Sequence, residues 1–462
     1  MSADLCFLSI REASSLMRAG ELSPVELVQA YLDRIEAVDG RLHSYLLVLG
    51  PQALAAAERA RAEIAGGVWR GALHGIPIAL KDNFETAGIR TTCNSAALRG
   101  NVPSADAACV ANLKAKGAIV LGKLAMWEFA TGGAPVAGDT PWPPARNPWN
   151  LALSPGGSSS GSAAAVAAGL CAAALGTDTG GSIRNPAAWC GVAGFKPTYD
   201  VVSRRGVIPL APSLDHVGPV CRSSEDCALV LEALAGDGLA AADAPRAEPA
   251  PAGGDTGFQG VRIGVPRHFF EEDAGMDAQA LAAFERSLRL AADAGAYIAN
   301  VRLQPFARYH EILPILSRAE SFSIYGSMLR ESPDAVGKAA RASLMAGASI
   351  DADAYREASQ ERQAMTAQIA EVFEDVDMLM LPMARTTACA LGDDARASGA
   401  GFYDRPFNLT GNPALTVCNG YSEDGLPLSI QFAGRRHDDA SVLRLGRSFE
   451  RAAGFSRRPQ GV

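Results

Sequence analysis

The feature that most constrains the fold is the segment 154–184, in which two glycine-flanked serine clusters enclose an almost wholly apolar run. The first cluster, 156–162, ends in serines and precedes the alanine-rich stretch 163–168, which predicts a helix that starts at the serines. Gly169 predicts the end of this helix, and 170–175 then predicts a short buried strand. If the strand runs back beside the helix, both serine clusters lie at the same end, because the two elements span about 15 and about 20 Å.

The second cluster, Gly180-Gly181-Ser182, follows Thr179 in a turn whose backbone N–H groups can converge, since glycine has no side chain. Converging N–H groups bind an oxyanion, and a serine among them can attack a carbonyl carbon. A serine hydroxyl is a poor nucleophile at its ordinary pKa, so a base must lie beside it. The segment therefore predicts a nucleophilic site.

Three other interpretations of the serine clusters fit the sequence less well. A flexible Gly/Ser linker would not carry the apolar run that joins the clusters. The pattern G-x-S-x-G at 157–161 would place Ser159 in a nucleophile elbow, but an elbow follows a strand, and 141–149 is a proline-rich, loop-like stretch. A nucleotide-binding P-loop requires G-x-x-x-x-G-K-[ST], a pattern that the sequence does not contain.

Lys81 is the second chemical feature, because it follows the apolar residues 76–80. These residues predict a short strand, which places Lys81 at or just beyond the strand end and at least partly buried. Burial disfavours the ammonium form, and a lysine that is neutral near pH 7 has a pKa lowered by about three units. The chain has only six lysines, so the search for a catalytic lysine is short.

Composition and charge narrow the class of protein. With 48% hydrophobic and 20% charged residues the chain has the composition of a globular protein, and its net charge of −8 gives no support for binding nucleic acid or an anionic membrane. No uncharged apolar run reaches the roughly 20 residues of a membrane span, and the N-terminus does not resemble a signal peptide. Nine scattered cysteines without a C-x-x-C pair, and isolated histidines, predict a cytoplasmic protein without metal. We expect no cofactor.

The segment 154–184 resembles the amidase signature family of serine hydrolases. Members of this family share a Gly/Ser-rich stretch followed by a G-T/S-D-T/I-G-G-S-I-R motif. The resemblance extends from about residue 73 to 236 and returns near the C-terminus. It includes the family motif G-I-P-x-x-x-K-D-N, in which Lys81 matches the catalytic lysine.

The resemblance implies a Ser–Ser–Lys triad. In this mechanism Ser182 attacks the acyl carbon and forms an acyl-enzyme, Ser158 relays the proton, and neutral Lys81 is the base. In the family the relay serine follows a cis peptide bond. The resemblance also implies an oxyanion hole formed by backbone N–H groups, and the residues concerned are Thr179, Gly180, Gly181 and Ser182.

The stretch 123–133 resembles the family segment that borders the acyl pocket. This resemblance implies substrate contacts for Trp127, Ala130 and Thr131. A tryptophan is less usual at position 127, and a core aromatic is at least as compatible with the sequence as a substrate contact. Both interpretations of Trp127 stay open at this point.

Strands that alternate with helices predict an α/β fold, and the resemblance implies a three-layer α/β/α amidase-signature fold around a mixed β-sheet. We expect an N-terminal helical part at 1–70 and a catalytic domain at 71–462, within one large domain overall. The stretch 236–260 is rich in Ala, Pro, Gly and Asp and predicts a mobile loop. The pattern at 295–373 is helical and resembles the family only weakly, so we expect this variable region to shape the substrate pocket.

Three functions are compatible with the sequence. The main hypothesis is an amidohydrolase that cleaves a carboxylic amide, or a related aryl amide or urea, to acid and amine or ammonia; its partners are a small-molecule substrate and, at most, a second copy in a homodimer. The alternative is the glutamine-hydrolysing subunit of a tRNA-dependent amidotransferase, which needs a partner chain. Trp127 and the weak resemblance at 295–373 favour the main hypothesis. The filled triad positions argue against a non-catalytic binding or scaffold protein.

Overall fold

The structure is a computed structural model that describes residues 2–133, 138–235, 257–271, 276–393, 401–460 and 462. Its strands are β1 (Tyr45–Val48), β2 (Pro77–Lys81), β3 (Ile119–Leu124), β4 (Ala173–Asp178), β5 (Ala193–Lys196), β6 (His216–Cys221), β7 (Arg262–Val265), β8 (Tyr297–Asn300), β9 (Met378–Pro382), β10 (Ala414–Tyr421) and β11 (Pro427–Gly434). Its helices are α1 (Ser2–Leu5), α2 (Ile10–Ala19), α3 (Pro24–Leu42), α4 (Gly50–Ala65), α5 (Ala108–Ala115), α6 (Ser160–Ala167), α7 (Arg184–Cys190), α8 (Ser224–Ala235), α9 (His268–Glu271), α10 (Ala278–Asp293), α11 (Phe306–Glu331), α12 (Lys338–Met345), α13 (Ala352–Asp375), α14 (Arg405–Leu409) and α15 (Asp439–Ala453).

All of these strands belong to one mixed sheet with the order β1-β3-β2-β4-β6-β5-β10-β11-β9-β7-β8. One parallel unit, β3-β2-β4, lies towards one end, and a second, β9-β7-β8, lies at the other. Antiparallel pairs join the two units, and β5 pairs with β10, which lies much later in the chain, as in the pair Lys196 and Ala414. The predicted α/β/α fold around a mixed sheet is confirmed.

The parallel pairing of β2 with β4 places the chemical residues. Ile78 pairs with Ala173 and Leu80 pairs with Leu175, so the carboxyl ends of both strands lie at one edge of the sheet. Lys81 is the last residue of β2, and the turn 179–182 follows directly after β4. Ligand sites in open α/β sheets form beyond the carboxyl ends of strands, and both predicted features lie there.

The helix and strand between the serine clusters form, although their bounds differ from the prediction. Helix α6 ends two residues before Gly169, whose φ is +69°, but β4 starts and ends three residues later than the predicted strand at 170–175. The apolar run misplaces this strand because its last residues, Thr177 and Asp178, are polar and nevertheless buried. Hydrogen bonds to their side chains compensate for that burial.

Two predictions about secondary structure are wrong. Residues 1–70 were predicted as helical, but β1 lies within them and pairs with β3. The pattern at 295–373 was also predicted as helical, but β8 lies near its start. Both are four-residue strands at opposite edges of the sheet. A short apolar run such as Tyr45–Val48 does not by itself distinguish a strand from a buried helix segment.

One further predicted feature is confirmed, and another lies mostly outside the residues that the structure describes. The sequence Ser23-Pro24-Val25-Glu26 predicts a helix start. Helix α3 begins there with a capping box, in which Ser23 and Glu26 bond to each other's backbone N–H groups, and it has Pro24 at its first position. Residues 236–256 of the predicted loop at 236–260 lie outside the described residues. The division of the chain at residue 70 stays a prediction. Among the described helices, none combines the length and the apolar character that a membrane crossing requires.

Helix α6 lies unusually close to the sheet, because all eight of its residues are buried and most are alanine, glycine or serine. Gly161 marks the closest approach. A Cβ atom at this position would lie 2.5 Å from the carbonyl oxygen of Ser44 and 2.7 Å from the backbone nitrogen and oxygen of Ala125. These backbone atoms cannot move aside as a side chain could, so the fold requires glycine at this position.

We expect Gly161→Ala to lower the free energy of unfolding by about 1 to 3 kcal/mol, because α6 must move away from the sheet. The matched control is Gly40→Ala in α3, where an added Cβ meets no atom within 4 Å. That change should be neutral or stabilise the protein by about 0.4 to 1 kcal/mol, since alanine restricts the unfolded chain. Urea unfolding of both variants measures the difference. Equal free energies for the two variants would contradict the close approach.

Candidate active site

Lys81 occupies a fully buried position beside Ser158. Its Nζ atom lies 2.7 Å from Ser158 Oγ and 2.8 Å from Thr177 Oγ1, and its side chain is 0% exposed. Lys81 forms no ion pair with a residue that the structure describes, so nothing nearby compensates fully for a buried ammonium. Burial accordingly lowers the pKa of Lys81 to about 7, although the more distant Asp178 and Asp215 favour the charged form.

Two further lysines are buried, and their contacts differ from those of Lys81. The side chains of Lys123 and Lys196 are also 0% exposed. Lys123 Nζ lies 3.3 Å from Asp82 Oδ1, whereas Lys196 Nζ donates to two backbone carbonyl oxygens. Of these three lysines, Lys81 alone donates to a serine hydroxyl, as a lysine that exchanges a proton with a serine requires.

The two serine clusters meet as the sequence predicts. The Ser159 N–H donates to Ser182 O at 3.1 Å, which joins the clusters backbone to backbone. The Gly157–Ser158 peptide bond is cis. Ser158 is fully buried, but Ser182 is partly exposed. The arrangement places one serine in contact with Lys81 and the other at the surface of a cavity.

The turn 179–182 differs from the predicted oxyanion hole at one residue. The Gly181 N–H donates to Asp178 Oδ1 at 2.7 Å, so it is not directed at a substrate. The N–H groups of Gly180 and Ser182 make no hydrogen bond to any described residue, and both residues line the cavity. Gly181 has a φ of +99°, and a Cβ there would lie 1.9 Å from Asp404 Oδ2, so only glycine fits.

A buried ion pair fixes the backbone of this turn. Asp178 accepts hydrogen bonds from Arg184 Nε at 3.0 Å, Arg184 Nη2 at 3.1 Å and Asn408 Nδ2 at 2.7 Å, besides that from Gly181. Burial would raise the pKa of Asp178, but the Arg184 guanidinium and these hydrogen bonds hold it well below its usual range. The carboxylate is therefore charged and holds the turn from inside the protein.

Asp215 holds the turn from the other side. Its carboxylate accepts from Thr179 Oγ1 at 2.5 Å and from the backbone N–H groups of Leu210 and Ala211. Burial raises the pKa of Asp215, while these donors lower it. Asp215 does not line the cavity beside Ser182, so its contacts support the turn.

The cavity beside Ser182 has a volume of about 560 Å³. All three predicted substrate-contact residues, Trp127, Ala130 and Thr131, line it. Trp127 is only 7% exposed, and a Cβ on Gly157 would lie 2.1 Å from its ring, so this residue is both a packed aromatic and part of the cavity wall. Thr131 Oγ1 lies 2.7 Å from Ser343 Oγ, which joins the wall to α12.

The chain matches a known protein family over most of its length. The Amidase family model matches residues 26–443. The chain belongs to the amidase signature family. It is therefore an enzyme that acts on the C–N bond of carboxylic amides.

Individual relatives match nearly the whole length of this amidase. A glutamyl-tRNA(Gln) amidotransferase subunit of Geobacter metallireducens is 39% identical over 99% of this chain and 100% of that protein. A crystal structure of an amidase is 33% identical, with a TM-score of 0.85 over 97% of this chain and 100% of that one. The native peptide amidase from Stenotrophomonas maltophilia is 30% identical, with a TM-score of 0.83 over 98% of each chain.

The amidase cavity has several lining residues that the sequence did not single out. The predicted variable region contributes a large part of the wall, from α11, from α12 and from the residue that follows α12, and α14 adds one more residue. These residues are Leu313, Pro314, Ser317, Arg318, Ser321, Ala339, Ala342, Ser343, Ala346 and Arg405. Leu313, Ser317 and Ser321 recur every four residues, so the sequence shows that they share a helix face, but not that this face borders Ser182.

The described part of this amidase contains no cluster of three or more His, Cys, Asp or Glu side chains that could hold a metal ion. Lys81 and Ser158 provide an amine and a hydroxyl group in contact with each other, and the turn 179–182 provides backbone amide groups beside the cavity. These groups transfer protons and stabilise negative charge, which are the two requirements of acyl transfer from an amide.

Proposed function

We propose that this amidase hydrolyses its substrate through an acyl-enzyme on Ser182, with Ser158 as proton relay and neutral Lys81 as base. The contact of 2.7 Å between Lys81 Nζ and Ser158 Oγ, buried behind a cavity that Ser182 lines, carries the proposal. A lysine whose pKa lies at about 7 is neutral in about half of the molecules at neutral pH and can accept a proton.

The proposed reaction begins with two proton transfers and an attack on the amide carbon. Lys81 takes the proton of Ser158, Ser158 takes the proton of Ser182, and the Ser182 oxygen attacks the amide carbon. The backbone N–H groups of Gly180 and Ser182, with that of Thr179, would hold the resulting oxyanion, without Gly181. The same relay returns the proton to the leaving nitrogen, and water then hydrolyses the acyl-serine.

We expect a serine-directed fluorophosphonate to add its mass to the peptide that carries Ser182, since this hydroxyl lines the cavity. Mass spectrometry of the digested protein locates the label. Ser182→Ala should remove both the label and the amidase activity. Ser203→Ala provides a control, because it alters a serine outside the cavity and should change neither. A label only at another residue, or undiminished activity of Ser182→Ala, contradicts the assignment.

We expect kcat/KM to fall about tenfold per pH unit below about 7, because protonated Lys81 cannot accept the proton of Ser158. Lys81→Ala should lower kcat by about 10² to 10⁴ while the protein still folds. Lys81→Arg should be no better, since a guanidinium stays charged at any workable pH. Lys114→Ala, at an exposed ion pair, should leave the pH profile unchanged. Near-normal activity of Lys81→Arg would place the base elsewhere.

A second candidate is the alternative function, the glutamine-hydrolysing subunit of a tRNA-dependent amidotransferase. The observation that favours it over a stand-alone amidase is the full-length identity of 38–39% to proteins named as subunits of glutamyl-tRNA(Gln) amidotransferase. In that function the chain would need a partner chain. The observation against it is that amidases without such a name are also similar over nearly the whole chain, at 33 and 30% identity.

Ammonia release separates the two functions. As part of an amidotransferase, the chain should co-purify with a partner from its own host and release ammonia from glutamine in its presence. As a stand-alone amidase, the purified chain should cleave members of a panel of aryl amides, aliphatic amides and ureas without a partner, and prefer them to glutamine. A Ser182→Ala variant serves as the control in both assays, because either reaction needs the same nucleophile.

A further inference from the structure

The cavity beside Ser182 has an unbalanced charge. Among the residues that line it within the described ranges, two carry a positive charge, Arg318 of α11 and Arg405 of α14, and none carries a negative charge. Arg318 is exposed, whereas Arg405 is partly buried. A reaction at a neutral amide requires neither charge, so these two residues call for a separate explanation.

Neither guanidinium is neutralised within the part of the chain that the structure describes. Arg318 makes no side-chain hydrogen bond or ion pair to a described residue. Arg405 donates one bond, from Nη1 to His310 O at 3.2 Å, and its buried Nε has no partner among the described residues. Arg308 on the same helix as Arg318 contrasts with both, because its guanidinium pairs with Glu361.

Asp404, next to Arg405 in the chain, does not remove this imbalance. Its carboxylate is fully buried and faces the backbone of Gly181 and the Asn185 side chain. Burial raises the pKa of Asp404 to about 6, although Arg184 and Arg405 lower it. Burial lowers the pKa of Arg405, Asp404 raises it, and Arg318 lowers it. Of these three residues, only Arg318 and Arg405 line the cavity.

We propose that the substrate carries a carboxylate or comparable anionic group, which Arg318 and Arg405 bind while Ser182 attacks its amide. This inference rests on the proposed function and adds the class of substrate. A guanidinium offers paired N–H donors that match a carboxylate, and such charge-assisted bonds are stronger than those between neutral groups. Monoamides of dicarboxylic acids and N-acyl amino acids belong to this class.

The test uses two fluorophosphonate probes of equal length, one ending in a carboxylate and one in a carboxamide. We expect the anionic probe to label Ser182 between about 10- and 100-fold faster at low salt, because it gains charge-assisted hydrogen bonds. Arg318→Gln and Arg405→Gln should each bring the ratio of the two rates towards one. Added salt should also lower the ratio, which a purely structural role would not explain.

Arg330→Gln is the matched control, since Arg330 lies on α11 but does not line the cavity. It should keep the wild-type ratio. Thermal unfolding verifies the folded state of Arg405→Gln, and the exposed Arg318 provides a variant whose fold is not at risk. Turnover gives a second measurement: kcat/KM for glutaramic acid should exceed that for the neutral diamide in the wild type, and Arg318→Gln should reduce this preference mainly through KM.

The outcomes separate the two proposals. Equal or slower labelling by the anionic probe, with normal labelling of Ser182 by the neutral probe, would overturn the anion site and leave the proposed function intact. An anionic preference that survives both arginine variants would also overturn it. Failure of both probes to label Ser182, together with full activity of Ser182→Ala, would overturn the nucleophile and the anion site together.

Discussion

The fully buried ion pair between Asp178 and Arg184 is the interaction on which the site depends. Asp178 ends β4 and Arg184 begins α7, so the pair closes the turn that carries Ser182. Two buried charges are tolerable only when each is paired and hydrogen-bonded, and Asn408 supplies a further partner to both. Removal of either charge would leave the other buried alone, which costs about 3 to 5 kcal/mol. The turn is thus rigid because any other arrangement would separate the two charges.

Lys81, unlike Arg184, is buried without contact to a carboxylate of any described residue. It lies near the same network, yet its Nζ contacts hydroxyl groups and one backbone carbonyl, not a carboxylate. A paired carboxylate favours the protonated amine, as Asp82 does for Lys123, whereas burial without a close carboxylate favours the neutral form. The interior therefore combines the ion pair Asp178–Arg184 with a nearby amine, that of Lys81, that can change its charge.

Local patterns in the sequence predicted the parts of this structure that depend on local physics. The capping box at Ser23 and the strand that ends at Lys81 depend only on neighbouring residues in the chain. The glycine-serine segment was sufficient to identify the family. The strand bounds at Thr177 and Asp178 were not predictable in this way, since their burial depends on Lys81 and Arg184 in three dimensions. The same holds for Arg318 and Arg405, which lie on helices whose orientation towards Ser182 is set by the whole sheet.

The hydrogen bonds of Arg184 to distant parts of the chain have a consequence for the order in which the site forms. Arg184 bonds to Asn408, 224 residues later, and to Gln431, 247 residues later. Contacts of such long sequence separation form late, because a large loop must close before they stabilise anything. During synthesis the N-terminal half therefore leaves the ribosome with its serines and lysine present but without the residues that fix them. The last strands of the chain complete the site, so a chain cut short before them has no assembled nucleophile.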